Sequence, residues 1–272
     1  MKKFEGILIC TDLDGTLLKN DKSISEENSR AIEYFKSEGG LFTFVTGRMP
    51  TTAKRLYDLI RPNAPIGCIN GGGIYDYESE SYVWTYELSR KCLELVKYVE
   101  ETAEGIGVQV NTFDKIYFSK DNSAMELFRK STGSPNLVRR YFEVTEPIAK
   151  IVFGDAREDH LLKVQELLNS HPLAGEFDFI RSERKLYEIL PRGSSKGSVL
   201  VRLADHLGID IKKTIAVGDY NNDVSMLLAA GVGIAVANAC EEAKAAADRI
   251  TVDNEHSAIA KIISEIEEGL IF

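Results

Sequence analysis

The sequence predicts an α/β protein, a parallel-sheet core interrupted by an inserted α+β domain. Three observations predict it. Residues 7–69 alternate short apolar runs with amphipathic segments, the pattern of parallel strands joined by crossover helices. From Ser194 the same alternation returns. Between the two stretches the apolar runs come mostly in pairs separated by helical segments, which is an α+β pattern.

The first apolar run, Ile7 to Cys10, meets Asp12 and Asp14 almost at once, with Gly15 and Thr16 next. A short apolar run bounded by turn residues reads as a buried strand. Ser25 to Glu38 carries Ile32 and Phe35 among polar residues, with Ser25 as an N-cap and Gly39-Gly40 as a stop. It reads as a helix. Leu41–Val45 is the second strand and stops at Thr46-Gly47-Arg48. A helix fits Thr51–Ile60, closed by Pro62, and Ile66–Ile69 is a third strand running into Asn70-Gly71-Gly72-Gly73.

The inserted part begins with strands at Gly73–Tyr77 and Tyr82–Tyr86 around an acidic turn. A helix over Leu88–Glu104, a hairpin of Val108–Asn111 with Ile116–Ser119, and a helix over 121–131 follow. Residues 132–147, with Pro135 and Pro147, read as irregular. Ala149–Phe153 is a strand, His160–Leu168 lies within a helix, and Phe177–Ile180 with Leu186–Leu190 make a closing hairpin. Beyond it, 195–207 is helical and Thr214–Val217 is a strand ending in Gly218-Asp219-Tyr220-Asn221-Asn222-Asp223. A helix through Met226–Ala230, a strand at Val232–Val236, a helix at 239–247, a short strand at 250–252 and a helix at 257–268 complete the chain. The expected organisation is a Rossmann-like core of residues 1–82 and 191–272, with 83–190 as an inserted α+β cap.

At 272 residues, two domains are the better expectation, and 44% hydrophobic with 28% charged residues is an ordinary soluble composition. The net charge of −9 argues against binding a nucleic-acid backbone over the whole surface. It does not exclude a small anionic substrate, since a metal or a local basic pocket overrides the global sign. Cys10, Cys68, Cys92 and Cys240 are scattered and read as small apolar residues in a reducing, cytoplasmic setting. No apolar run is long enough for a membrane span, and the short run after Lys2-Lys3 is not a secretory signal. A monomer or weak homodimer is expected. There is no GxGxxG after the first strand and no phosphate-binding GxxxxGK element, so nicotinamide and P-loop nucleotide chemistry lack their signatures. His160, His171, His206 and His256 show no metal-ligand spacing.

Ligands of open α/β sheets sit beyond the carboxyl ends of the strands. Two carboxylates there, Asp12 and Asp14, are costly unless a cation or a reaction needs them; the less favoured reading of the stretch alone is a solvated turn with a helix cap. Four clusters converge on those strand ends: Asp12 and Asp14; Thr46-Gly47-Arg48; Lys196; and Asp219 with Asn222-Asp223. Taken singly, Lys196 suits a solvated helix start, and 219–223 suits a turn with a helix N-cap. Taken together, DLDGT, TGR, the lysine of GSSKG and GDYNND resemble the four motifs of the haloacid dehalogenase superfamily of phosphohydrolases. The inserted domain and INGG at 69–72 resemble its Cof-type branch with a type IIB cap. The resemblance spans nearly the whole chain. It departs at AVANA, where the family more often has Gly before Asn238, so the shape of that loop is open.

A carboxylate at Asp12 can attack phosphorus and split one hard displacement into two. Carboxylates repel a phosphate dianion, so a cation must bridge them, and Mg2+ prefers such oxygen ligands. Asp12 and Asp219 are the side chains assigned to it, and the resemblance adds the Asp14 main-chain carbonyl. Asp14, two residues on in extended geometry, lies on the same side as Asp12 and suits a general acid to the leaving alcohol, then a base to water. Thr46 and Gly47 offer a hydroxyl and a backbone N–H to phosphate oxygens, and Lys196 supplies fixed positive charge. Asp223 has two readings: a direct metal ligand, or a residue behind the ligands that orients Lys196 and a metal-bound water. The second is preferred, with Asn222 holding the same loop. Arg48, Asn70 and Gly71 are substrate-side candidates; the resemblance puts Asn70 near the phosphate or leaving group.

The expected function is a magnesium-dependent phosphatase acting on a small phosphorylated metabolite such as a sugar phosphate. The alternatives are a sugar phosphomutase or phosphotransferase and a non-catalytic metabolite sensor. Carbon–halogen hydrolysis suits the site poorly, since a halide needs no proton from Asp14. Lys185, Tyr187, Glu188 and Arg192 are candidates for substrate choice by position alone.

Overall fold

A computed structural model describes residues 2–272. In chain order its elements begin with β1 (Leu8–Thr11), α1 (Glu26–Ser37), β2 (Leu41–Phe44), α2 (Pro50–Ile60), β3 (Ile66–Cys68), β4 (Gly73–Asp76) and β5 (Ser81–Thr85). There follow α3 (Cys92–Thr102), β6 (Gly107–Thr112), β7 (Ile116–Lys120), α4 (Ser123–Thr132), β8 (Leu137–Val138), β9 (Ile148–Gly154), α5 (Glu158–Ser170), β10 (Phe177–Glu183) and β11 (Leu186–Pro191). The last stretch holds α6 (Lys196–His206), β12 (Thr214–Gly218), α7 (Val224–Ala229), β13 (Val232–Ala235), α8 (Glu241–Ala246), β14 (Arg249–Ile250) and α9 (Ala258–Glu267). The chain divides into two compact units. One comprises residues up to Gly47, Leu56–Trp84 and Ser195–Phe272; the other comprises Arg48–Arg55 and Thr85–Ser194.

The first unit is built on a five-stranded parallel sheet of order β14-β13-β12-β1-β2. Parallel strands covered on both faces read as unbroken apolar runs, and all four residues of β1 are buried. Leu8 and Ile9 each contribute about 1.5–3 kcal/mol by leaving water. The register fixes the working edge. Thr11 pairs with Val217 on one side and Phe44 on the other, so Asp12, the segment after Phe44 and the segment after Gly218 leave the sheet at one edge. α1 starts as its sequence requires: the Ser25 hydroxyl accepts the Asn28 N–H, and Glu26 and Glu27 sit in the first turn.

β3 departs from the expected parallel pattern. Among the described residues it joins the sheet only through a single bridge, Val45 to Gly67, and it pairs antiparallel with β4 in a separate sheet of order β3-β4-β5. Three residues give too short a ladder to prefer one partner by hydrophobicity alone, and the Gly71–Gly73 turn returns the chain beside it.

The second unit carries a six-stranded sheet of order β10-β11-β9-β6-β7-β8, antiparallel except for β7 with β8. One face packs against α3 and α5: Val108, Val110, Ile151, Phe153, Tyr187 and Ile189 meet Leu95, Val99, Leu161 and Val164 in one core. Residues 132–147, expected to be irregular, contain the two-residue β8 and a single helical turn at Tyr141–Glu143. Elements that short leave no period to read. Among the described residues, no helix is long and apolar enough to cross a membrane.

Candidate active site

Asp12 follows the last residue of β1, and its N–H donates to Val217 O at 2.8 Å, so the neighbouring strand holds it at the sheet edge. Lys196 is the first residue of α6. Ser195 and Ser198 form a reciprocal cap there, fixing the angle at which the lysine leaves the helix. A cation at a helix N-terminus is disfavoured by the dipole, and burial disfavours it further. Lys196 is nevertheless 1% exposed, because its ammonium donates to Asp12 Oδ1 at 2.5 Å and to Asp223 Oδ1 at 2.6 Å. Burial lowers the ammonium's affinity for its proton, but Asp12 and Asp223 outweigh that and hold it above its ordinary value. Lys196 is charged throughout the physiological range.

Asp223 is fully committed. Its Oδ2 accepts the Asp219 and Tyr220 N–H groups, both at 3.0 Å, while Oδ1 takes Lys196. Asp219 leaves the end of β12, and its Oδ1 accepts the buried Thr16 hydroxyl at 2.8 Å. Gly15, at φ +87°, allows this approach: a Cβ there would stand 2.6 Å from Asp219 Oδ2. Carboxylate oxygens of Asp12, Asp219 and Asp223 lie within 4.8 Å of one another. Three carboxylates against one ammonium leave a buried negative excess. Burial, with the neighbouring carboxylates, pushes Asp12 well above the ordinary carboxylate range. Burial and then Asp223 push Asp219 up to about 6. Such a cluster fits a divalent cation of the oxygen-seeking kind.

Asp14 is not one of these three clustered carboxylates, although its charge reaches Asp219. The expected extended spacing does not persist, because the chain turns at Leu13–Thr16, where Thr16 N–H donates to Leu13 O at 3.3 Å. The Asp14 carboxylate is half-buried and accepts from Lys22 Nζ at 2.8 Å. Nothing in the spacing of the sequence pointed to Lys22. Asn238, from the departing AVANA loop, donates to Gly15 O at 2.8 Å and accepts the Asn254 N–H at 3.0 Å, so it braces the turn after Asp14.

Thr46 and Asn70 are buried side by side in the chain path: Asn70 N–H donates to Thr46 O at 3.1 Å, and Thr46 N–H to Gly67 O at 3.0 Å. Gly47 lies against the Asn70 amide. Ile69 and Asn70 both take left-handed backbone conformations, at φ +59° and +50°. For a β-branched residue this costs on the order of 1–3 kcal/mol and marks a position the surroundings over-determine. Asn222 Nδ2 donates to Asn70 Oδ1 at 3.1 Å, orienting that amide. Gly71, at φ +106°, passes so close to α6 that a Cβ would meet Ser195 N at 2.4 Å. Arg48 is half-buried and groups with the second unit. Of the four candidates for substrate choice, Tyr187 packs into the second unit's core, Arg192 bonds Asp178 at 3.0 Å, Lys185 is exposed and Glu188 is buried.

A parallel sheet whose strand ends gather three aspartates around one buried lysine suits a metal-assisted hydrolase. A family model for haloacid dehalogenase-like hydrolases matches residues 9–263, and the chain belongs to that family. It is 28% identical over 262 residues to the 5-amino-6-(5-phospho-D-ribitylamino)uracil phosphatase YitU of Bacillus subtilis, covering 95% of this chain and 96% of that protein. A second Bacillus subtilis phosphatase named for the same substrate, YwtE, is 30% identical over 287 residues, covering 96% of this chain and 98% of that protein. The crystal structure of a haloacid dehalogenase-like hydrolase from Bacteroides thetaiotaomicron superposes with a TM-score of 0.83 at 27% identity, covering 96% of this chain and 99% of that one.

Proposed function

We propose that this chain is a magnesium-dependent phosphatase that hydrolyses a small phosphorylated metabolite through an aspartyl-phosphate formed on Asp12. The observation that carries the reading is the buried Lys196, bonded at once to Asp12 and Asp223. A cation fixed against a carboxylate in a dry site orients that carboxylate and offsets the charge an incoming phosphate brings. The ribityl phosphate esters named for the two Bacillus relatives support a polyol or sugar phosphate as the substrate class. In this reading the core is the catalytic domain and the inserted residues 83–190 are the cap that sets substrate choice.

Asp12 and Asp219 would hold the magnesium ion, with the main-chain carbonyl of Asp14. When bound it would neutralise the phosphate and orient it for in-line attack. Asp223, with both oxygens committed to Lys196 and two N–H groups, suits a residue that fixes the lysine and the 219–223 loop. The Asp12 carboxylate attacks phosphorus, and the bond to the leaving oxygen breaks as Asp14 gives that oxygen a proton. The Asp14 carboxylate then takes a proton from water as the water oxygen attacks the same phosphorus. The acyl–phosphate P–O bond breaks, and phosphate leaves with Asp12 restored. Thr46, Gly47 and Lys196 hold the phosphoryl oxygens; Asn70, oriented by Asn222, and Gly71 and Arg48 complete the substrate side.

The test is phosphate release from a panel of sugar and polyol phosphates. Release with Mg2+, its loss in EDTA and its return with excess Mg2+ are expected. A folded protein that releases phosphate from no member would overturn the proposal.

Asp14→Asn should lower kcat/KM by about 10²–10⁴-fold for alkyl phosphates, whose leaving alkoxide needs the proton, and by less for aryl phosphates. Equal losses for both ester types would remove Asp14 from acid–base duty.

The raised Asp219 carboxylate makes metal binding pH-dependent. Its folded value of about 6 lies above the ordinary 3.8. Metal-free, the folded state therefore keeps a proton that the unfolded state loses, and the stability from this group falls as pH rises from about 4 to about 6. Mg2+ takes the deprotonated form, so the rise in Tm at saturating Mg2+ should grow between about pH 5 and pH 7. Thermal melts with and without the ion at each pH check this; a rise independent of pH would contradict it.

A further inference from the structure

The turn that follows Asp14 carries a lysine where a glycine is the easier residue. Lys19 N–H donates to Ser23 O and Lys22 N–H donates to Lys19 O, both at 2.9 Å, which closes a three-residue loop over 20–22. The last position of such a loop is left-handed and is usually glycine. Lys22 occupies it at φ +67°. A Cβ is disfavoured there, and lysine has no short polar group to bond its own backbone in compensation. What lysine brings to the position is its ammonium, which reaches back eight residues and donates to Asp14 Oδ1 at 2.8 Å.

Stability does not account for that choice. The side chains of Lys22 and Asp14 are 61% and 34% exposed, and an ion pair so open to water contributes little to folding. The backbone that carries the pair is nevertheless held closely. Asn254, a buried residue, donates to Leu18 O at 3.0 Å, and Asn20 N–H donates to Glu255 Oε1 at 2.8 Å. Within the loop, Asp21 Oδ1 accepts the Ser23 N–H at 2.9 Å. At the other end, Asn238 ties Gly15 O and the Asn254 N–H. Both ends of the Lys22–Asp14 contact are therefore fixed to one stretch of the first unit. A strained residue on a braced loop, making a contact of little worth to the fold, is the arrangement of a group placed for function.

We infer that Lys22 is a positioning residue for Asp14. Pinning Oδ1 fixes the plane of the carboxylate, and with it the place where its second oxygen stands to meet a leaving oxygen. Without the anchor the carboxylate turns among rotamers, and fewer of its conformations are aligned for proton transfer. The inference rests on the acid–base reading of Asp14 within the proposed phosphatase function and deepens it.

The test compares sorbitol phosphate with p-nitrophenyl phosphate in the full-length enzyme and its variants. Lys22→Met should lower kcat for the polyol ester about 10–100-fold, the cost of a misplaced catalytic group, with KM close to wild type. The aryl ester, whose leaving group needs no proton, should lose less. Lys22→Arg keeps a cationic donor and should recover most of the loss. In an Asp14→Asn background Lys22→Met should add no further loss, since the anchor then has no carboxylate to aim. Lys22→Gly should lose activity as Lys22→Met does while its Tm holds or rises, because glycine takes the left-handed position without strain. A purely structural role predicts a lower Tm and equal losses for both esters, and that result overturns the inference. A raised KM that persists in the Asp14→Asn background overturns it too, by making Lys22 a substrate contact. If Lys22→Met matches wild type on both esters, the inference fails while the phosphatase reading stands. If the wild type hydrolyses neither ester, the phosphatase reading fails and takes this inference with it.

Discussion

Asp12→Asn should abolish phosphate release, by roughly 10⁴-fold or more, while the protein stays folded. The amide keeps an oxygen to accept the Lys196 proton, so the buried contact at 2.5 Å survives in kind. It also removes one of the three carboxylates that crowd the strand ends, one whose charge burial disfavours. The change in stability should therefore stay within about 1 kcal/mol, the size of one ordinary hydrogen bond. An amide oxygen is far too weak a nucleophile to open a phosphate ester, and no neighbouring carboxylate stands ready to replace it: Asp223 is tied to Lys196 and two N–H groups, and Asp219 to Thr16. Steady-state release together with a denaturation curve checks both halves. Substantial turnover in a folded variant would refute the assignment of Asp12.

Lys196→Ala should damage activity and stability together. Losing the fixed cation removes an interaction with the phosphoryl group, worth about 10²–10³-fold in kcat. It also strands Asp12 and Asp223 without their ammonium in a buried site, which costs about 3–5 kcal/mol when one partner of such a pair is deleted. The loss has a pH signature. Without the cation, the carboxylates take up protons more readily in the folded state than in the unfolded one. Their contribution to stability is then present at low pH and lost as pH rises. Denaturant titrations should show the variant closest to wild type near pH 5 and furthest from it near pH 8. A stability difference that does not change with pH would mean that the lysine does not balance those carboxylates.

The parts of the site that were legible in the sequence are those where a strand or helix ends abruptly. Asp12, Thr46 and Asp219 each follow a short apolar run, and Lys196 opens a helix after two serines, so element ends alone brought them to one edge. What the sequence did not reveal depends on which backbone donor finds which acceptor. Asp14 leaves the line of β1 because the chain turns back on Leu13, and its partner Lys22 sits in a loop with no periodicity. β3 chose β4 over the main sheet for want of length. Ile69 adopts a left-handed conformation that its β-branched type does not advertise, whereas Asn70 is of a type that enters that region readily. The second unit is the sharpest case. The alternation in Val108-Gln109-Val110-Asn111-Thr112 reads as a strand with one face in water, yet all five residues are buried. Alternation reports polarity, and polarity on a sheet face does not by itself report exposure to solvent.

The central claim is that hydrolysis proceeds in two displacements through a phosphorylated Asp12. The stereochemical course at phosphorus tests it without requiring the intermediate to accumulate. A substrate made chiral at phosphorus with sulfur and an oxygen isotope, hydrolysed in water carrying another isotope, yields inorganic thiophosphate whose configuration can be read. Two in-line displacements predict overall retention. Inversion would mean that water attacks the substrate directly, and that Asp12 is not the nucleophile.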